Sequence, residues 1–343
     1  MSSVPSSSAA PRWRVSPLNL ALAVIGLLLL VLTVRQVGWD SVREGLASLG
    51  WWFLAIVALG GLRFAARTRS WMACAAPVAG DAETAPLGFR HTFGAVLAAD
   101  ALGNVTPLGL LASEPAKVLL VRRRLSTATG LSSVATDNVF YTTSVLLMIA
   151  VGAIVFFRRA AVPPNLALAG QGLVVLALAS LVVAFLVARR RPAVLSRLAE
   201  VAARVTGRAK RSPDFLREVE HRFYALLQWP AGRIARVAGW QVVFHVAAIA
   251  EVYLVLRLLP GASEATLVDA FVLETAGRLV TVLFKFVPFR LGVDEAGAAL
   301  VARALQFDPT VGVALALVRR LRIFCWNGAG LVILGWMSRQ PDA

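Results

Sequence analysis

The chain has 343 residues, of which 58% are hydrophobic, and its mean hydropathy is +0.72, against an apolar share of roughly 45–50% in soluble domains. The formal net charge of +16 would suit nucleic acid, but the densest basic stretch, 189–236, lies between two apolar spans and holds only four acidic residues. That placement follows the positive-inside rule of membrane proteins and excludes a nucleic-acid partner. Cys74 and Cys325 lack CxxC spacing, and His91, His221 and His245 are scattered, so no disulfide, metal site or cofactor is expected.

Taken in chain order, the first sixteen residues begin with a Ser/Ala-rich stretch and read as a disordered cytoplasmic tail. Leu18 to Val34 has only Asn19 and Thr33 as polar members and no cleavage site after it, which predicts a retained signal-anchor helix. A second apolar segment starts near Trp51 and descends, putting Arg63, Arg67 and Arg69 at or near the cytoplasmic face. Residues 86–121 then have cytoplasmic charge on both flanks, with Arg122, Arg123 and Arg124 after them. Such a segment must enter and return, turning near Asn104-Val-Thr-Pro107. Ala128 to Phe157 rises and Leu166 to Ala188 descends into the basic loop. Within that loop Ser212-Pro213 is a helix start. Phe215, Leu216, Val219, Phe223, Leu226 and Leu227 give the helix one apolar face, which suits either an anionic lipid surface or the end of the bundle.

The second half repeats the pattern upside down. Trp240 to Leu259 rises, Pro260 to Ser263 is an external turn, and 266–305 reads as a second hairpin turning at Val287 to Arg290. Asp308-Pro309 opens a final long segment ending at Arg339. The predicted fold is all-α and polytopic, with about six full crossings and two re-entrant hairpins in an inverted repeat. It forms one membrane domain over 17–338, with repeats at about 17–157 and 165–338 and both termini cytoplasmic. The alternative is six to eight ordinary helices kinked by their prolines.

One motif occurs twice: Pro107-Leu-Gly-Leu-Leu-Ala-Ser-Glu114 and Pro288-Phe-Arg-Leu-Gly-Val-Asp-Glu295. Helix breakers followed by a carboxylate, at matching places in two halves of a membrane chain, point to a site made from broken helices. Asn104, Pro107, Pro288 and Gly292 are the candidate breaks. An ionisable side chain at membrane depth costs about 2.5–3.5 kcal/mol on insertion scales and is therefore paired or functional. Glu114, Lys117, Asp137, Arg290, Glu295, Arg319 and Arg320 are the candidate substrate-binding residues, with Arg suited to bidentate phosphate contacts. Glu114 with Lys117 and Glu274 with Arg278 have the spacing of intrahelical pairs. Arg319, Arg320 and Arg322 lie deep in the last segment, with Asp137, Glu114 or Glu295 as candidate partners. They form either a lock between the halves or a phosphate-headgroup site.

The Asn104-to-Pro107 turn with Gly109, Glu114 and Lys117 resembles the first signature of the lysylphosphatidylglycerol synthase/flippase membrane-domain family. Pro288-Phe-Arg-Leu-Gly292-Val-Asp-Glu295, followed by Gly312 and a deep arginine, resembles the second, although the family turn more often reads Pro-Gly-Gly. The acidic–arginine pair of the family's middle helix stands here as Asp137-Asn138. The resemblance implies a lipid-translocating domain in the plasma membrane that takes a phospholipid or polyprenyl phosphate. It does not imply the synthase reaction, so no enzymatic activity is expected. The competing expectation is a non-transporting scaffold subunit of an envelope-lipid or glycan-synthesis system.

Overall fold

The computed structural model describes residues 47, 49–76, 87–105, 109–159, 164–190, 213–284 and 292–339. The expected tail and anchor helix up to Val34 lie outside these, as do Pro107, Pro288 and Arg290. The described residues form ten α-helices and a short 3₁₀ turn, with no strand among them. In chain order they are α1 (Trp52–Ala75), α2 (Phe89–Val105), α3 (Gly109–Leu120), α4 (Thr127–Arg159), α5 (Pro164–Arg190), α6 (Pro213–Tyr224), α7 (Ala231–Leu258), α8 (Leu267–Leu283), α9 (Val293–Ala304) and α10 (Pro309–Arg339).

Each segment expected to form a hairpin contains a pair of short helices. The longer helices of the two pairs end at Val105 and Leu283, and the shorter ones begin at Gly109 and Val293. In both halves a 17-residue helix is followed by one of 12. The long helix that comes next has 33 residues in one half and 31 in the other. None of the short helices reaches the 20 or so residues of a full crossing. Helices α4 and α7 are both long and apolar enough to cross a bilayer.

The helix ends are set by local chemistry. Thr266 and Asp269 form a reciprocal capping box at the start of α8, and Arg159 from the end of α4 donates to the same Asp269 at 2.7 Å. At the start of α9, Gly292 has φ +77°, a left-handed conformation that favours glycine, and its N–H donates to Glu295 Oε2 at 2.9 Å. The Thr310 hydroxyl and N–H both donate to Asp308 ahead of α10, holding that carboxyl below its usual range.

The helices pack reciprocally. Helix α2 of the first hairpin lies on α10, and α8 of the second lies on α4, while α1 packs against α7. Two glycines let α10 come close to both hairpins. A β-carbon at Gly312 would collide with the Ala298 backbone in α9, and one at Gly330 with the Leu97 backbone in α2. Close backbone approach of this kind drives helix association in lipid, where apolar burial gives little. Ile56, Val252, Leu256, Leu273, Leu315 and Val318 form one buried core between α1, α7, α8 and α10. Trp71, Val96, Val118 and Val134 form a second between α1, α2, α3 and α4. Val242, Val246, Leu147, Val151 and Val332 stay exposed on the outer faces of α7, α4 and α10, as lipid-facing positions would.

Of the two readings of the loop helix, the structure has bundle packing. Helix α6 lies on α4 with Val219 and Glu220 buried. Trp229 stacks on Phe140 of α4, and Arg233 sits 3.8 Å from the Trp229 ring while donating to the carbonyls of Ala73, Cys74 and Ala76 at the end of α1. Those carbonyls are ones that a helix C-terminus leaves without partners.

Candidate functional site

Three arginines on α10 organise the centre of the bundle. Successive residues of an α-helix point about 100° apart, so Arg319, Arg320 and Arg322 fan out towards three different neighbours. Arg319 pairs with Glu274 of α8. Arg320 pairs with Glu295 of α9 at 2.6 Å, and Arg322 with Glu251 of α7 at 2.7 Å. Helix α10 thus holds both arms of the second hairpin and the crossing before it through one turn of its own length.

Two of these carboxylates take a second arginine. Glu251, 0% exposed, also receives Arg63 of α1 at 2.9 Å. Glu274, 3% exposed, also receives Arg278 of its own helix at 2.8 Å. The two Arg–Glu–Arg triads meet at Phe244, whose ring centroid lies 5.0 Å from the guanidinium carbons of both Arg63 and Arg278. Tyr141 of α4 meets the same phenylalanine edge to face, and its hydroxyl accepts from Arg278 Nη1 at 3.2 Å.

A polar layer joins α1, α4 and α7 one step along. Arg67 pairs with Asp137 at 3.0 Å and lies over the Tyr141 ring at 4.3 Å. Ser70 donates to the same Asp137 at 2.5 Å, and Gln241 donates to Ser70 at 2.9 Å. Arg63 and Arg67, expected at or near the cytoplasmic face, therefore turn inward, one helical turn apart on the face of α1 that meets α7 and α4. Arg69 remains exposed, over Phe89.

The first hairpin is paired more locally. Glu114 and Lys117 pair with each other at 3.0 Å within α3. Asn104 donates to Asp100 and to Asn327 of α10, both at 3.0 Å. The two glutamates of the repeated motif thus sit in different surroundings: Glu114 answers to its own helix, whereas Glu295 caps α9 and reaches α10.

The expected residues therefore gather in part. Arg319, Arg320 and Glu295 meet around α10. Asp137 belongs to the neighbouring α1–α4–α7 layer, with Arg67 and not an α10 arginine as partner. Arg290 lies outside the described residues. Glu251 and Gln241 were missed by the sequence argument, although a lone glutamate inside the apolar run from Trp240 to Leu259 was a sufficient signal. Among the described residues no group of histidines, cysteines or carboxylates has the arrangement of a metal site.

An all-α bundle with apolar outer faces, two pairs of short helices and a core of ion pairs is the build of a helical membrane protein. The chain belongs to the lysylphosphatidylglycerol synthase TM region family, whose model matches residues 18–328. Neither the curated proteins nor the solved structures contain a match to it. The family makes this a membrane protein of a lipid-related class.

Proposed function

We propose that the protein is a flippase-type transporter of the plasma membrane, moving an amphiphile with a phosphate-bearing headgroup across or within the bilayer. The observation that carries this reading is the arginine fan of α10, set at the bundle centre against carboxylates from both arms of an interrupted hairpin. Charged groups that face a membrane protein's interior beside broken helices are characteristic of substrate pathways. The repeated 17-then-12 helix pattern and its reciprocal packing support two units of opposite orientation, hinged about a common site. In this reading Arg319 and Arg320 contact the phosphate, joined by Arg290. Glu295, Glu114 and Asp137 balance charge, and Lys117 serves the first hairpin's side of the path.

One observation favours the scaffold alternative: Glu295, Asp137 and Glu114 each already hold a cationic partner, as in a lock between halves. The excess of arginine around Glu251 and Glu274 weighs the other way, because a lock needs no surplus charge. The test is translocation of fluorescent phosphatidylglycerol and of fluorescent phosphatidic acid in proteoliposomes of the wild type, Glu295→Gln and Arg320→Gln. Transport by the wild type, lost in both assembled variants, is the expected result. Wild-type vesicles no faster than empty ones would leave the scaffold.

A further inference from the structure

We propose that the headgroup received at the bundle centre carries two negative charges, as a phosphomonoester or a diphosphate diester does, and not the single charge of a phosphodiester. The inference deepens the transport reading and rests on it. It comes from the charges in direct contact. Arg63 and Arg322 share Glu251, while Arg278 and Arg319 share Glu274. Each triad has two cations for one anion, so each is left with one positive charge, and the shared Phe244 ring brings the two triads together.

The surroundings do not remove that excess. The adjoining pairs Arg67 with Asp137 and Arg320 with Glu295 are balanced one to one. Among the described residues no third carboxylate pairs with Arg63, Arg278, Arg319 or Arg322. A surplus charge held out of water costs several kcal/mol unless a counter-charge meets it, and an arginine within the membrane region is paired as a rule.

A second observation points to a ligand. Among the described residues, buried Arg63 Nε, Arg278 Nη2 and Arg319 Nε have no hydrogen-bond partner. Unmet donors on three arginines suit the several acceptor oxygens of a phosphate group. The side chains of these three keep 13%, 11% and 19% exposure while the unmet nitrogens themselves are buried, so a headgroup meets them only when the surrounding helices part. Space for the fork of Arg319 is provided by Gly277, where a β-carbon would lie 2.7 Å from Arg319 Nη1. Phosphatidylglycerol and other diesters bring one charge and would leave one arginine uncompensated. A phosphomonoester, whose second proton leaves near pH 6, brings two at alkaline pH.

The experiment uses the full chain in lipid nanodiscs at pH 8.5 and compares dioleoyl phosphatidic acid with dioleoyl phosphatidylglycerol, whose tails are identical. Inorganic phosphate and chloride are the soluble arms. Phosphatidic acid is expected to bind about tenfold tighter or more, the size of one charge-assisted hydrogen bond lost by the diester. Arg319→Gln lowers the excess to one and should bring the ratio close to unity, while Arg319→Lys should keep most of it. If these variants fail to assemble, the wild-type ratio alone decides. Equal or tighter binding of phosphatidylglycerol overturns the charge count and leaves lipid transport standing. Chloride matching phosphatidic acid also overturns the count, since two monovalent ions then fill the site. Inorganic phosphate binding as tightly as phosphatidic acid keeps the charge class but overturns the lipid reading beneath it. No binding of any phosphate overturns both.

Discussion

Glu251 is the residue on which most of the centre depends, since it joins α1, α7 and α10 through Arg63 and Arg322. Its removal strands two guanidinium groups, whereas removal of Glu114 strands one ammonium group on the same helix. Glu251→Ala should therefore cost about 3–5 kcal/mol, the range for breaking a buried pair. Glu114→Ala should cost about 1 kcal/mol, the scale of one net hydrogen bond. Thermal unfolding of the detergent-purified proteins ranks them, and an equal loss for the two would contradict the central role of Glu251. At this scale the sequence was partly legible. Intrahelical pairs such as Glu114 with Lys117 follow from i,i+3 spacing alone. Arg63 with Glu251 spans 188 positions, and no local pattern selects one partner among several deep carboxylates.

Helix α10 is the element that both hairpins share, and its fit depends on having no side chain at two points of contact. Gly312→Leu and Gly330→Leu should each separate it from one hairpin, with overpacking costs of about 1–3 kcal/mol or more. Gly328→Leu, on the same helix with nothing within 4 Å of its β-carbon position, should stay within about 0.5 kcal/mol of the wild type. Melting temperature and monodispersity on size exclusion separate these outcomes. Equal damage at all three sites would mean that bulk on α10 matters, not close approach. The paired short helices were legible because proline, glycine and charge interrupt otherwise apolar runs, and the expected segments 86–121 and 266–305 bracket them. The burial of α6 against α4 was not legible, since one amphipathic face serves a lipid surface or a protein surface equally.

For the whole molecule, the signal legible in the sequence is charge asymmetry, which orients crossings without saying how they pack. The all-α class followed from hydropathy. The exchange of partners, α2 with α10 and α8 with α4, did not, because it depends on the shape of helix faces far apart in the chain. The expected orientation is testable by labelling single cysteines in a Cys74→Ser, Cys325→Ser background. Cysteines replacing Pro86 and Arg123 should react from the cytoplasmic side, and cysteines replacing Ser263 and Asp308 from the opposite side. A split within either pair would replace the re-entrant hairpins with full crossings.

The exchange of partners also has a consequence for how the chain is made. Ribosomal synthesis delivers α10 after every other helix described here, yet α2 waits for it: Asn104 and Asn327 bond across 223 positions. Until α10 is inserted, α2 must hold Asp100 and Asn104 without the neighbour that Asn327 supplies, and Arg63 has no Glu251 until α7 arrives. Chains halted near residue 260 should therefore be short-lived in the cell and recognised by membrane quality control. Supplying residues 261–343 as a separate polypeptide should rescue them, since the missing contacts lie between helices and not along the backbone.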